Sequence, residues 1–303
     1  YIWISENRTA LEKESGWEIQ SDIAATDLIL EKNVKSEPGS WRKARTVTRY
    51  TEHLFTDILV PLSGDDESWD ALEQAILIAQ REDARLHGLH IVDTKAKIAD
   101  AGVLAVQEKF NQRCAEASVT GKLIIERGEI TKKICERATM TDLIVLKIVH
   151  PPMGGIATLR SPFRNIVVNS SRPVLGLPGH ATQFKRALLA YDGSDRAKEA
   201  LFVATYLAEA WRTELIVFTA LQASVTAESQ DYVRRYLDIH EVEAEYIIGE
   251  NNSMDQLKET VEKMNVDLVL IGSHGGTVLQ QVLVGSTLDY MLRESKVPTF
   301  ICR

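Results

Sequence analysis

Cysteine is scarce in this 303-residue chain, which has only three: Cys114, Cys135 and Cys302. They lie far apart, and no CxxC pair occurs, which excludes a zinc ribbon or a dithiol redox motif. The expectation that follows is a reducing, cytoplasmic compartment. Long hydrophobic runs are also missing. No apolar stretch reaches the length of a membrane span, so no membrane insertion is expected within this sequence. No signal peptide is visible, although the chain opens on Tyr1 rather than Met, as a piece of a longer protein would. Positive charge is short as well: 35 Lys and Arg stand against 43 Asp and Glu, for a net charge of −8. Nucleic-acid binding depends on neutralising phosphates with basic side chains, so this balance argues against it. The short cluster Arg42, Lys43 and Arg45 reads as linker or solvated surface.

Several catalytic signatures are absent. There is no GxxxxGK[ST] loop and no GxGxxG fingerprint, which argues against P-loop hydrolysis and against a dinucleotide dehydrogenase. No nucleophile elbow, HExxH or paired catalytic carboxylate occurs, so no residue is assigned as catalytic. His87 and His90 are three apart on a predicted strand. That spacing puts them on opposite faces and makes them poor co-ligands for a metal.

What the sequence does contain is a duplication. Its 45% apolar and 26% charged residues are those of a globular protein with a sizeable core. Residues 57–62 form an apolar run closed by Ser63, Gly64, Asp65 and Asp66. Residues 186–192 repeat the pattern, closed by Gly193, Ser194 and Asp195. Each run is followed by an amphipathic helix, over 69–81 and 197–211. Apolar residues spaced three and four apart, such as Leu72, Ala75, Ile76 and Ala79, mark the buried face of the first. Second strands follow at 86–92 and 215–221, third strands at 123–128 and 245–249, fourth strands at 142–146 and 267–271. Short closing strands beside prolines complete each copy, at 172–175 and 297–301.

Strands alternating with helices predict βαβ units and parallel sheets, and nearly all-apolar strands predict sheets covered on both faces. The fold class is therefore α/β: two doubly wound, five-stranded, Rossmann-like domains in tandem, at 53–178 and 184–303. Residues 176–182 read as the linker between them. Residues 1–52 form an N-terminal extension of unassigned function, with a helix expected from Ile19, Ile23, Leu30 and Val34. Ligands of such sheets bind beyond the carboxyl ends of the strands.

One candidate site stands out at that edge in the second copy. Gly272 follows a predicted strand, Gly275 follows it closely, and Gly285 and Ser286 precede a predicted helix over 287–294. Glycine lets backbone bend and approach a ligand. A helix N-terminus offers free N–H groups and a positive dipole end to phosphate. Ser286 would cap that helix, with Asp289 three residues on. Each feature alone is an ordinary turn or cap. Their order on this scaffold points to a phosphate cradle, and His274 lies inside it.

With these residues in view, the sequence resembles the universal stress proteins, over roughly 54–303. The ATP-binding branch of that family carries G-x2-G-x9-G-[ST], which Gly272, Gly275, Gly285 and Ser286 match. The resemblance implies that Ala190, Tyr191 and Asp192 contact adenine and ribose, that Ala220 faces adenine and that Ile271 packs on base or sugar. It implies that Gly272, Gly275, Gly285, Ser286 and Thr287 hold ribose and phosphates. Gly276 replaces a larger polar residue common in the family, which weakens triphosphate contacts.

The first copy departs from the pattern. Lys147, His150 and Arg160 stand opposite the three motif glycines, Ser161 opposite Ser286, and Leu62 opposite Asp192. The first copy is then either a decayed site or a basic anion site. The resulting expectation is a regulatory stress-response protein holding one adenine nucleotide, ATP or a relative. Mg2+ could join it at Asp192 and Asp195. Two alternatives remain: a slow ATPase or phosphotransferase at the same cradle, and the cytosolic interaction module of a larger transport protein. The resemblance also implies pairing of the two domains within the chain through their apolar final strands, and a possible homodimer.

Overall fold

The computed structural model describes residues 53–92, 100–148, 162–220, 227–249, 253–273 and 296–302. The N-terminal extension and the expected helix over 287–294 lie outside these residues. By backbone contacts the chain divides into two compact units: the described parts of 1–146 with 168–173, and those of 147–167 with 174–303.

In the first unit, four strands run in the order β3-β2-β1-β4. They are β1 (Asp57–Pro61), β2 (Arg85–Val92), β3 (Gly121–Arg127) and β4 (Leu143–Lys147). All described pairings are parallel. Between them run α1 (Ser68–Glu82), α2 (Ala101–Glu116) and α3 (Ile130–Ala138). Ile58, Leu59 and Val60 on β1 have no exposed surface, as expected of a strand covered on both faces.

The second unit contains α4 (Pro162–Asn169, to residue 167) and β5 (Val174–Leu177). It continues with β6 (Arg186–Ala190), α5 (Asp195–Trp211), β7 (Glu214–Ala220) and α6 (Ala227–Ile239). It closes with β8 (Ala244–Gly249), α7 (Ser253–Lys263), β9 (Leu268–Gly272) and β10 (Thr299–Cys302). The strand order is β5-β10-β9-β6-β7-β8. Its pairings are parallel except β5 with β10, which is antiparallel.

Both copies use the same polar anchor where the fourth strand begins. In the first unit, Asp142 Oδ2 accepts hydrogen bonds from Thr56 N (2.9 Å) and Asp57 N (3.1 Å). In the second, Asp267 accepts from Lys185 N and Arg186 N, each at 2.9 Å. A charged acceptor at this point satisfies the backbone N–H groups that open the central strand, which would otherwise be left without partners. A second buried carboxylate, Glu82, holds the lead into β1 by accepting from Leu54 N (2.7 Å) and Phe55 N (3.0 Å).

Residues 176–182, read as the linker between the copies, make hydrogen bonds to described residues of the second unit. Lys147 Nζ donates to Gly179 O at 2.8 Å, and Thr182 Oγ1 donates to Asp267 O at 2.8 Å. A Cβ on Gly179 would stand 2.9 Å from Lys296 O.

Candidate functional site

The carboxyl end of β6 begins the site. Ala190 pairs in register with Phe218 of β7 and with Ile271 of β9. Tyr191 N extends the first ladder by donating to Phe218 O at 2.9 Å. Gly193 then turns the chain with φ of 77°, in the left-handed region. Asp192 Oδ1 accepts from Ser194 N at 3.0 Å, and Ser194 Oγ accepts from Ala197 N at 3.1 Å. The Asp-Gly-Ser segment is thus an Asx-type turn that also supplies the N-cap of α5.

The register brings together Ala190, Tyr191, Asp192, Ile271 and Gly272, at the ends of the neighbouring strands β6 and β9. Ala220 closes β7, the other neighbour of β6, opposite Gly249. Ile271 and Tyr191 are buried, whereas Asp192 is exposed. Burial pushes the Tyr191 phenol well above its ordinary range, with Tyr232, Asp192 and Asp195 adding to the effect. That phenol is therefore a neutral hydrogen-bonding group at any ordinary pH. Of the two acids considered for Mg2+, Asp192 serves its own turn and Asp195 Oδ1 pairs with Lys198 Nζ at 3.0 Å.

Gly272 has a reason to be glycine that does not involve a ligand. A Cβ there would lie 2.5 Å from the carbonyl carbon of Arg196, 2.6 Å from Ala197 N and 2.7 Å from Arg196 O. The first turn of α5 rests directly on the end of β9. Ser273 N continues past it, donating to Cys302 O at 2.7 Å. Gly275, Gly285, Ser286 and Thr287, together with His274 and Gly276, lie outside the described residues.

The first copy differs at the matching edge. Leu62 N donates to Leu89 O at 2.9 Å, the same bond that Tyr191 N makes to Phe218 O. This register makes Leu62 the counterpart of Tyr191 and places Ser63 opposite Asp192, which corrects the expected pairing of Leu62 with Asp192. The expectation was one residue out because both runs are apolar up to the turn, so composition did not fix their alignment. His90 Nδ1 hydrogen-bonds Leu62 O at 2.8 Å. A Cβ on Gly64 would stand 2.7 Å from Val106 Cγ2 and 3.7 Å from His90 Cε1. An imidazole and a valine therefore crowd this strand end. Lys147, opposite Gly272, spends its ammonium on Gly179 O. His150, Arg160 and Ser161 lie outside the described residues.

His87 and His90 are both buried and engaged separately. His87 Nε2 lies 2.6 Å from Asp57 Oδ1, which also pairs with Arg85 at 2.9 Å. Among the described residues, no group of three or more His, Cys, Asp or Glu is placed to hold a metal ion.

Fold and strand ends together define a tandem, doubly wound α/β protein whose second copy presents its candidate ligand edge at the carboxyl ends of β6, β7 and β9. The pattern described as "Universal stress protein family" matches residues 55–176 and 221–303. Those segments make up more than half of the chain, and the protein belongs to the universal stress protein family. Among solved structures, it is similar to a universal stress protein from Archaeoglobus fulgidus, at 18% identity and a TM-score of 0.69. That match covers 83% of this chain and 97% of the other. It is also similar to a putative universal stress protein from Pseudomonas aeruginosa, at 17% identity and a TM-score of 0.61, over 82% of this chain and 93% of the other. At these identities the likeness concerns the fold. No curated protein matches the sequence.

Proposed function

We propose that the second copy binds one adenine nucleotide, ATP or a close relative, and that the chain is a regulatory stress-response protein rather than a dedicated enzyme. The observation that carries this reading is the convergence of Ala190, Tyr191, Asp192, Ile271 and Gly272 at adjoining strand ends, immediately before the segment with the motif spacing of Gly275, Gly285 and Ser286. A doubly wound sheet binds its ligands at this edge. Buried Ile271 and the small Ala190 and Ala220 suit the flat face of a base, and Asp192 suits a ribose hydroxyl. Gly285, Ser286 and Thr287 would hold the phosphates with backbone N–H groups and hydroxyls.

The first copy is read as a domain of the same fold, over 53–178, that has lost this use. Crowding by His90 and Val106 at its strand end supports that reading. The antiparallel pairing of β5 with β10 supports reading the apolar final strands as the elements through which copies of this fold associate. No described helix is long and apolar enough to cross a membrane. Mg2+ accompanying the nucleotide and a cytoplasmic location belong to the same proposal.

Calorimetric titration of ATP tests it. One site per chain is expected, and Gly285→Trp should abolish binding. Binding of undiminished strength in that variant would remove the site from the second copy. Mass spectrometry of ligand released from the purified protein would identify the nucleotide held. A bulky change at Gly272 is a poor probe, because it strikes the backbone of α5 before it reaches any ligand.

A further inference from the structure

The motif residues Gly272, Gly275, Gly285, Ser286 and Thr287 are all neutral, so none of these five brings a cation to a polyanionic ligand. Arg196 stands where one is wanted. It is the second residue of α5, and its carbonyl group is the one a side chain at Gly272 would strike. One turn along the same helix face, Glu199 is buried with 1% exposure, and its charge acts on the Cys302 thiol. Cys302 pairs in register with Gly272. Arg196 therefore sits above Glu199 at the carboxyl edge of β9 and β10, where β9 ends and the cradle segment begins.

The guanidinium is half-buried. Burial lowers its pKa, against smaller opposing effects of Glu199 and Asp195. Among the described residues it makes no hydrogen bond, and no ion pair within 4.0 Å. Asp195, its neighbour in sequence, is engaged with Lys198. An arginine keeps its charge in a protein, and a partly desolvated charge without a close partner is a cost to the fold. Such costs collect at functional sites. The planar fork of five donors fits the oxygens of a phosphate bidentately.

We propose that Arg196 is the phosphate-contacting cation of the strand-end site and makes that site select nucleoside phosphates over nucleosides. The inference rests on the adenine-nucleotide reading of the site and deepens it.

Titration calorimetry of ATP and of adenosine into the wild-type chain, Arg196→Met, Arg196→Lys and Lys198→Met tests it. Arg196→Met should weaken ATP binding by about 10- to 100-fold, the range for losing a charge-assisted hydrogen bond, and leave adenosine binding unchanged. Arg196→Lys should recover part of the loss. Lys198→Met, on the same turn but paired with Asp195, should match the wild type. Without ligand, Arg196→Met should melt at or above the wild-type temperature, because it removes a desolvated charge. Wild-type affinity for ATP in Arg196→Met would overturn this inference alone. So would equal losses of ATP and adenosine, or a lowered melting temperature, since these mark a structural arginine. A wild-type chain that binds neither ligand would instead overturn the reading of the site, and this inference with it.

Discussion

At position 272 a side chain has nowhere to go. Three backbone atoms of α5 lie within 2.7 Å of where its Cβ would be, and backbone cannot swing aside as a flexible side chain can. Gly272→Ala should therefore destabilise the protein by about 1–3 kcal/mol, the usual cost of overpacking a tight contact. Thermal denaturation without ligand reads this directly, and a melting temperature equal to wild type would show that the helix can move off the strand. The sequence marks this residue as part of a phosphate motif. The structure adds that it is first a contact between helix and strand. Nothing in the spacing of the motif could distinguish the two roles, because both ask for the absence of a Cβ at a strand end. Asp142 and Asp267 make the same point. In the sequence they merely open matching apolar runs, and in the fold they anchor the starts of β1 and β6.

At the scale of elements, α5 links the fold to the candidate site. Its buried face is rich in alanine, with Ala197, Ala200 and Ala204 inward, and this lets the helix lie close on β9. Its start is fixed by Ser194, whose hydroxyl accepts from Ala197 N. Ser194→Ala should cost about 1 kcal/mol, the typical loss for an N-cap hydroxyl. Urea denaturation would show it as a lower midpoint with an unchanged slope, and an unchanged midpoint would mean that water caps the helix equally well. The two helices predicted in most detail, α1 and α5, form within two residues of their expected bounds. By contrast, α2 and α6 were not singled out in the sequence. The signal for α2 was present: Val103, Val106, Phe110 and Cys114 are its buried residues, spaced three and four apart. Asp100 stands at its N-cap in extended conformation, without a side-chain cap bond.

At the scale of the whole molecule, buried groups that must stay neutral set an upper pH limit on the fold. Burial, aided by Glu73, pushes the Cys114 thiol in the first unit from its ordinary 9.0 to about 11. In the second unit, burial, aided by Glu199, raises Cys302, and burial is the largest cause of the raised Tyr191. A raised pKa means that the folded state holds its proton more tightly than the unfolded chain does. The stability that Cys114 contributes in this way is fully present below pH 9.0 and is lost as the pH climbs through about 11, and the raised Cys302 and Tyr191 act in the same direction. Melting temperature should hold level up to about pH 9 and fall above it, and Cys114→Ala should reduce the fall contributed by the first unit. A flat profile from pH 8 to 11 would contradict the assigned burial.

The order of strands and helices, the duplication and the glycine pattern are local matters of period and spacing, and the sequence by itself determined them. Apolar runs of strand length, alternating with helical faces, leave a parallel sheet covered on both sides as the way to bury them. Tertiary structure alone decided which neutral and charged groups meet at the strand ends. It turned His90 onto Leu62 O, drew Lys147 to the linker carbonyl of Gly179 and left Arg196 half-buried beside Gly272. Such contacts join residues far apart in the chain. They depend on register and on the closeness of helix to strand, and neither is written in the spacing of any single segment.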